Sequence, residues 1–253
     1  MQAVVITGAS AGIGKEFARQ LAAEGKSLVL VARRLDRLET LAAELRERHG
    51  IEVACIASDL AQPHAPAELA QALEEQQIAV TGLINNAGFG DRGQFADLDL
   101  QRQLDMVQVN VTALVDLTWR LVPALKQAQD AFVINVASTA AFQAGPNMTI
   151  YYATKAFVLS FSEGLHEELK ASGVAVSALC PGATDSEFAT EAHMTDTLLF
   201  KAGTMRTDAV VKKSLAARRR AIVIPGLKNL LLVWMGKLSP RMITRRLAGM
   251  LQA

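Results

Sequence analysis

Tyr151 and Lys155 stand four residues apart in the run Tyr151-Tyr152-Ala153-Thr154-Lys155. On a helix that spacing advances the chain by about one turn, so both side chains share a face. The pairing has a chemical use. A free phenol ionises near pH ~10 and is a poor base at neutral pH. An ammonium beside it favours the phenolate and lowers that value. The pair can then give a proton to an oxygen in one direction of a reaction and take it back in the other. Tyr152 is the only other tyrosine, and it stands three residues from Lys155. A Tyr-x-x-x-Lys run is common by chance, so its weight comes from its surroundings.

A second signal lies near the start of the chain. Thr7-Gly8-Ala9-Ser10-Ala11-Gly12-Ile13-Gly14 follows the apolar run Val4-Val5-Ile6 and opens an amphipathic stretch, Lys15 to Glu24. Strand, glycine turn and helix together are the context of a phosphate-binding turn. Gly8 permits a sharp turn, Gly12 lets the backbone approach a pyrophosphate, and Gly14 allows close helix–strand packing. Backbone N–H groups of Ser10, Ala11 and Ile13, at the helix start, then point at the anion. The next apolar run, Leu28 to Val31, ends in Ala32-Arg33-Arg34. Sites for NAD carry an acid near this position to bind the ribose hydroxyls. Here two arginines follow instead, and a guanidinium fork suits a 2′-phosphate. NADP(H) is therefore expected over NAD(H), with Arg33 the first candidate contact and Arg34 beside it.

These groups need a scaffold, and the hydrophobic pattern supplies one. Short apolar runs (Val4–Ile6, Leu28–Val31, Glu52–Ala57, Leu83–Ile84, Ala131–Val136, Val174–Leu179) alternate with helical stretches (Lys15–Glu24, Leu35–His49, Ala67–Gln77, Leu98–Leu125, Tyr151–Ala171). Such alternation predicts parallel βαβ units with right-handed crossovers. The fold class expected is α/β, a Rossmann-type doubly wound parallel sheet with helices on both faces and a helical C-terminal tail. One domain over residues 1–253 is expected, with a core through about 188, a substrate lid at about 183–208, and a basic tail at about 209–253.

Taken in order, the motifs resemble the classical branch of the short-chain dehydrogenase/reductase family. Thr7-Gly8-x-x-x-Gly12-x-Gly14 has that family's spacing, and Asn85-Asn86-Ala87-Gly88 matches its run after the fourth strand. Asp59-Leu60 matches the acidic position after the third strand, which the resemblance places near the adenine. The resemblance also implies the remaining roles. Ser138, 13 residues before Tyr151, is the serine that donates to the substrate oxygen. Lys155 also bonds the nicotinamide ribose, and Asn110 anchors a water beyond it. Pro181-Gly182, Thr184 and Ser186 border the nicotinamide, Ser186 standing where the family usually has threonine. A homodimer or homotetramer is implied too. The resemblance covers residues 3 to about 188.

Residues after Pro181-Gly182 bear on the substrate. Phe188, Met194, Leu198, Leu199 and Phe200 can form an apolar wall, with Phe142, Gln143 and Met148 opposite, which favours a lipophilic carbonyl. The expected reaction is thus NADP(H)-dependent interconversion of a carbonyl and a secondary alcohol. The alternative is a catalytically silent nucleotide-binding regulator on the same fold, which predicts a damaged Ser/Tyr/Lys set.

Composition narrows the rest. Hydrophobic residues make up 51% and charged residues 20%, which predicts a packed globular chain. The cysteines, Cys55 and Cys180, form no CxxC, and the four histidines are scattered, so no metal is assigned. Two free thiols and the lack of a signal-like leader make a cytoplasmic location the expectation. The net charge of +1 conceals an asymmetry. Residues 1–200 hold 14 Lys/Arg and 24 Asp/Glu, while residues 201–253 hold 12 Lys/Arg and the single acid Asp208. No nucleic-acid partner is expected. The basic segment Leu227–Leu238 is expected to pack on the body or a second subunit, with an anionic membrane surface or an acidic partner as the alternatives.

Overall fold

In the computed structural model β1 (Gln2–Thr7), β2 (Ser27–Ala32) and β3 (Val53–Ala57) alternate with α1 (Gly12–Ala23), α2 (Leu35–His49) and α3 (Ala65–Glu75). The chain continues through β4 (Ala79–Asn85), α4 (Leu100–Val107), a π-helical turn (Gln108–Thr112) and α5 (Ala113–Leu125). Then come β5 (Phe132–Val136), a 3-10 turn (Thr139–Phe142), α6 (Thr149–Lys170) and β6 (Ala175–Leu179). Two single turns follow, α7 (Phe188–Glu191) and α8 (Leu198–Lys201), then α9 (Thr207–Ala216), β7 (Ile222–Val223), α10 (Leu227–Leu238) and α11 (Arg241–Gln252). The structure describes residues 1–253 except 195, 202 and 253, and describes no side chain for 198, 199, 251 and 252.

The strands form one sheet in the order β3-β2-β1-β4-β5-β6-β7, every pairing parallel. Side chains alternate across it with the period of two that a strand imposes. Val4 and Ile6 join Leu28 and Leu30 in packing against Phe17 of α1, Leu38 of α2 and Val210 of α9. Ala3 and Val5 join Val29 and Val31 on the other side, against Leu69 of α3, Leu117 of α5 and Leu169 of α6. Each buried leucine or isoleucine contributes about 2 kcal/mol of apolar burial. Because both faces are covered, the strands read as unbroken apolar runs.

Strand order reverses between β1 and β4, and the crevice at their carboxyl ends is where such sheets bind ligands. Gly8 leaves β1 there and Asn86 leaves β4. Three elements differ from the sequence expectation. The stretch Leu98–Leu125 is not one helix: a π turn divides α4 from α5. The buried positions Gln103, Met106, Asn110, Ala113, Leu114 and Leu117 keep a three- and four-residue spacing through the turn, so periodicity alone does not reveal it. The seventh strand, β7, pairs with β6 through only Ile222 and Val223, too short a run to stand out after Arg218-Arg219-Arg220. The lid segment, for which the sequence pattern gives no element, carries two single turns, α7 and α8.

Candidate active site

The glycine turn is braced from the neighbouring strand. Gly8 has φ +64°, a left-handed conformation that glycine adopts without penalty. A Cβ on Gly14 would collide with the Gly8 carbonyl and the Asn86 side-chain amide, so the helix reaches the turn only because no side chain intervenes. The Asn86 side-chain amide donates to the carbonyls of Thr7 and Gly8 at 3.0 and 3.1 Å. The Thr7 hydroxyl accepts from the backbone N–H groups of Asn86 and Ala87, both at 3.0 Å. Asn86 therefore braces the turn while lining the cleft beside Ala87 and Gly88.

At the far end of the cleft Arg33, Arg34, Asp59 and Leu60 line the wall with Ser10. Arg34 donates to the Ser10 hydroxyl at 3.3 Å and to Glu187 at 3.1 Å. This contact sets Arg34 beside the glycine turn. The Asp59 carboxylate accepts from the Ala61 N–H at 3.2 Å, which shapes the loop after β3.

Ser138, Tyr151 and Lys155 line the same cavity. Tyr151 and Lys155 are buried, both on α6. The Lys155 ammonium donates to the Val136 carbonyl at the end of β5 at 2.8 Å and lies 5.8 Å from the centre of the Tyr151 ring. Ser138 begins the 3-10 turn, where its Oγ accepts from the Ala140 N–H at 3.1 Å. Asn110 is buried in the π turn. Its amide donates to the Phe89 carbonyl at 3.0 Å and to Thr154 Oγ1 at 3.1 Å, and its Oδ1 accepts from the Phe89 N–H at 3.1 Å. Thr154 in turn donates to the Tyr151 carbonyl at 2.7 Å. Asn110 thus ties the loop after β4 to the helix that carries the pair. Tyr152 packs against Gly145 and is also buried.

Burial is the largest influence on the ionisation of both Tyr151 and Lys155. Burial pushes the Tyr151 phenol well above its usual range, and the hydrogen bond from Ser138 opposes that shift without overcoming it. Burial also lowers Lys155 to about 8, with the nearby Cys180 acting in the opposite sense. The Lys155 ammonium is turned to the Val136 carbonyl. For the Tyr151 phenol desolvation is the largest influence. Cys180 is buried and raised to about 12, whereas Cys55 is only half-buried.

The cavity holds about 820 Å³ and runs from Arg33 past Tyr151 to the C-terminal helices. Pro181, Gly182, Thr184 and Ser186 form its side after β6. Phe188, whose ring centre lies 5.3 Å from that of Tyr151, forms an apolar wall with Met194 and Phe200. Phe142, Gln143 and Met148 line it as well. Leu198 and Leu199, expected on the same wall, have side chains outside the described residues. What the sequence did not reveal is the contribution of α10 and α11. Asn229 packs on Gly182, and Leu232, Val233, Met235 and Leu247 line the cavity. Only the apolar spacing of 227–238 hinted at it. A buried polar chain was also missed: Asn85 donates to Asn135, and Asn135 to Ser162, each at 2.9 Å.

The family profile described as short chain dehydrogenase matches residues 2–197. The chain belongs to the short-chain dehydrogenase family. Sulfoacetaldehyde reductase of Chromohalobacter salexigens is 40% identical over 187 residues, covering 73% of each chain. The very-long-chain 3-oxoacyl-CoA reductase of Anas platyrhynchos is 34% identical over 182 residues, which are 70% of this chain and 58% of that relative's length. The short-chain dehydrogenase from Sphingobium yanoikuyae, solved in complex with NADPH, superposes with a TM-score of 0.83 at 34% identity. The match covers 95% of this chain and 97% of that one.

Proposed function

We propose that this protein is an NADP(H)-dependent oxidoreductase that interconverts a lipophilic carbonyl compound and its secondary alcohol. One observation carries the reading: Ser138, Tyr151 and Lys155 line a single cavity with the glycine turn and Arg34. The cleft fits a dinucleotide. A side chain on Gly12 would enter it beside Ser186, 3.1 Å away, so the floor under the turn is open to a pyrophosphate. Gly8, Gly12, Gly14 and the amides of Ser10, Ala11 and Ile13 would hold that group. Arg34 and Ser10, with Arg33, would hold a 2′-phosphate. Asp59 and Leu60 would border the base, and Asn86, Ala87, Gly88, Pro181, Gly182, Thr184 and Ser186 the nicotinamide half.

Bound there, a reduced nicotinamide supplies the hydride for a carbonyl carbon. The chain's own groups handle the oxygen. Burial keeps the Tyr151 phenol protonated, so it is ready to donate to an oxygen as negative charge develops. The Ser138 hydroxyl orients that oxygen and stabilises its charge. Lys155, whose ammonium lies 5.8 Å from the centre of the Tyr151 ring, would hold positive charge near the phenol and relay a replacement proton from solvent, while Asn110 fixes the loop and helix that carry them. The apolar walls exclude water and select a lipophilic partner. A silent nucleotide-binding regulator is the lesser reading, because all three catalytic groups stand together here.

A panel of small and bulky ketones, assayed with NADPH and NADH, tests this. Tyr151→Phe should lose about 10²–10⁴-fold in kcat while retaining cofactor binding. Undiminished turnover by Tyr151→Phe would remove the phenol from the mechanism.

A further inference from the structure

In α10, Leu227, Leu231, Trp234 and Leu238 recur at the spacing of one helical face. They are 72%, 54%, 57% and 82% exposed. The opposite side of the helix is already satisfied: Val233 is buried, Asn229 packs on Gly182, and Lys237 lies 5.0 Å from the centre of the Phe142 ring. In α11, Met242, Ile243 and Met250 are likewise exposed while Ala248 is buried. Exposed Arg241, Arg245 and Arg246 are interspersed with them. Residues 209–253 hold ten Lys/Arg and no acid.

We propose that the α10–α11 face docks on an anionic lipid surface. Charge decides between a bilayer and a second copy of the chain. A two-fold contact through this face would bring one set of cations against the same set, with no carboxylate in the segment to neutralise them. Anionic headgroups supply the missing negative charge, and the apolar side chains enter the acyl boundary. Among the described residues no helix is long and apolar enough to cross a membrane, so the contact is peripheral. The acidic body, residues 1–200, orients the basic end toward such a surface. Leu232, Met235 and Leu247 are exposed on these helices and also line the cavity. The docked face is therefore continuous with the site; delivery of a lipophilic carbonyl by this route rests on the proposed chemistry, whereas docking does not.

The test reads binding alone. Trp119→Phe leaves Trp234 as the sole tryptophan, since the chain has two. Its emission should shift to the blue with phosphatidylglycerol-containing vesicles, and the protein should co-sediment with them. Phosphatidylcholine vesicles should bind it far less, and added salt should release it. Leu231→Glu with Leu238→Glu should weaken partitioning about tenfold or more. Arg245→Gln and Arg246→Gln should each cost about fivefold. None of these side chains lines the cavity, and unchanged circular dichroism and Tm report that the variants fold. Three results would each overturn the proposal: no binding to the anionic vesicles, salt-insensitive binding equal on both vesicle types, or a dimer in sedimentation equilibrium that the double glutamate variant dissociates while vesicle binding persists.

Discussion

Arg34 bridges two parts of the chain, donating to the Ser10 hydroxyl at 3.3 Å and to the Glu187 carboxylate at 3.1 Å. Arg37 holds the other Glu187 oxygen at 2.8 Å. The Arg34 hydrogen bond, opposed by desolvation and aided by Arg37, keeps the Glu187 carboxyl below its usual range. The acid thus occupies the guanidinium that a 2′-phosphate would need. Glu187→Gln is expected to tighten NADPH by about two- to fivefold, a modest effect because exposed ion pairs are weak, and to leave NADH unchanged. Arg34→Ala is expected to do the reverse to NADPH. Titration of both cofactors against both variants reads the difference; equal changes for NADPH and NADH would place the phosphate elsewhere.

Asn110 satisfies both backbone groups of Phe89 and reaches Thr154. Removing its amide leaves buried donors and acceptors unpaired, at about 1–3 kcal/mol for each. Asn110→Ala should therefore lower Tm by several degrees, roughly 4 °C per kcal/mol at most in a chain of this size. It should also depress kcat, since the π turn positions the Tyr151 helix. Thermal melts and turnover measured on one preparation check both. A stable variant with normal turnover would mean that Asn110 neither braces the loop nor tunes the pair.

Lys155 titrates at about 8 rather than at the ordinary lysine value of 10.5. On the proposed mechanism its charge supports proton delivery by Tyr151, so carbonyl reduction should hold level below neutrality and decline as pH rises through about 8. The sign for stability is opposite. Between about 8 and 10.5 the unfolded chain carries a proton that the folded chain has lost, so stability from this group rises with pH across that window. Lys155→Met should abolish the alkaline decline and flatten the stability slope. Parallel pH profiles of kcat and of urea midpoints provide the comparison, and a kcat decline and a stability rise that both survive in Lys155→Met would assign them to another group.

The sheet and its crevice were legible because their signals are local. Val4–Ile6 followed by Gly8, Gly12 and Gly14 encodes strand, turn and helix within a dozen residues. Asn110 could be singled out, yet its π turn could not, because the buried positions keep a three- and four-residue spacing through it. The lysine–tyrosine electrostatics also escaped the sequence. Spacing gives proximity, but the Val136 carbonyl that holds Lys155 and the burial that raises Tyr151 arise only from tertiary packing. The same limit applies to α10: its apolar residues are plain in the sequence, but whether a face lines a cavity or meets solvent depends on what the fold places beside it.

Gly236 separates stability from activity. It lies within α10 on the cavity wall, and a Cβ there would meet only Gln143 Oε1 at 3.8 Å, an ordinary contact. Gly236→Leu should stabilise the helix, because glycine in a helix interior costs about 0.8–1.0 kcal/mol relative to the best formers. The added side chain projects toward the cavity and takes volume from the substrate. The expected variant melts a few degrees higher, keeps turnover of a small aldehyde, and loses about tenfold in kcat/KM toward ketones with two bulky substituents. The loss should reside in KM and kcat together, since a crowded substrate is displaced from Ser138 and Tyr151. If bulky and small substrates fall equally, α10 does not line the substrate path and the upper cavity wall must be reassigned.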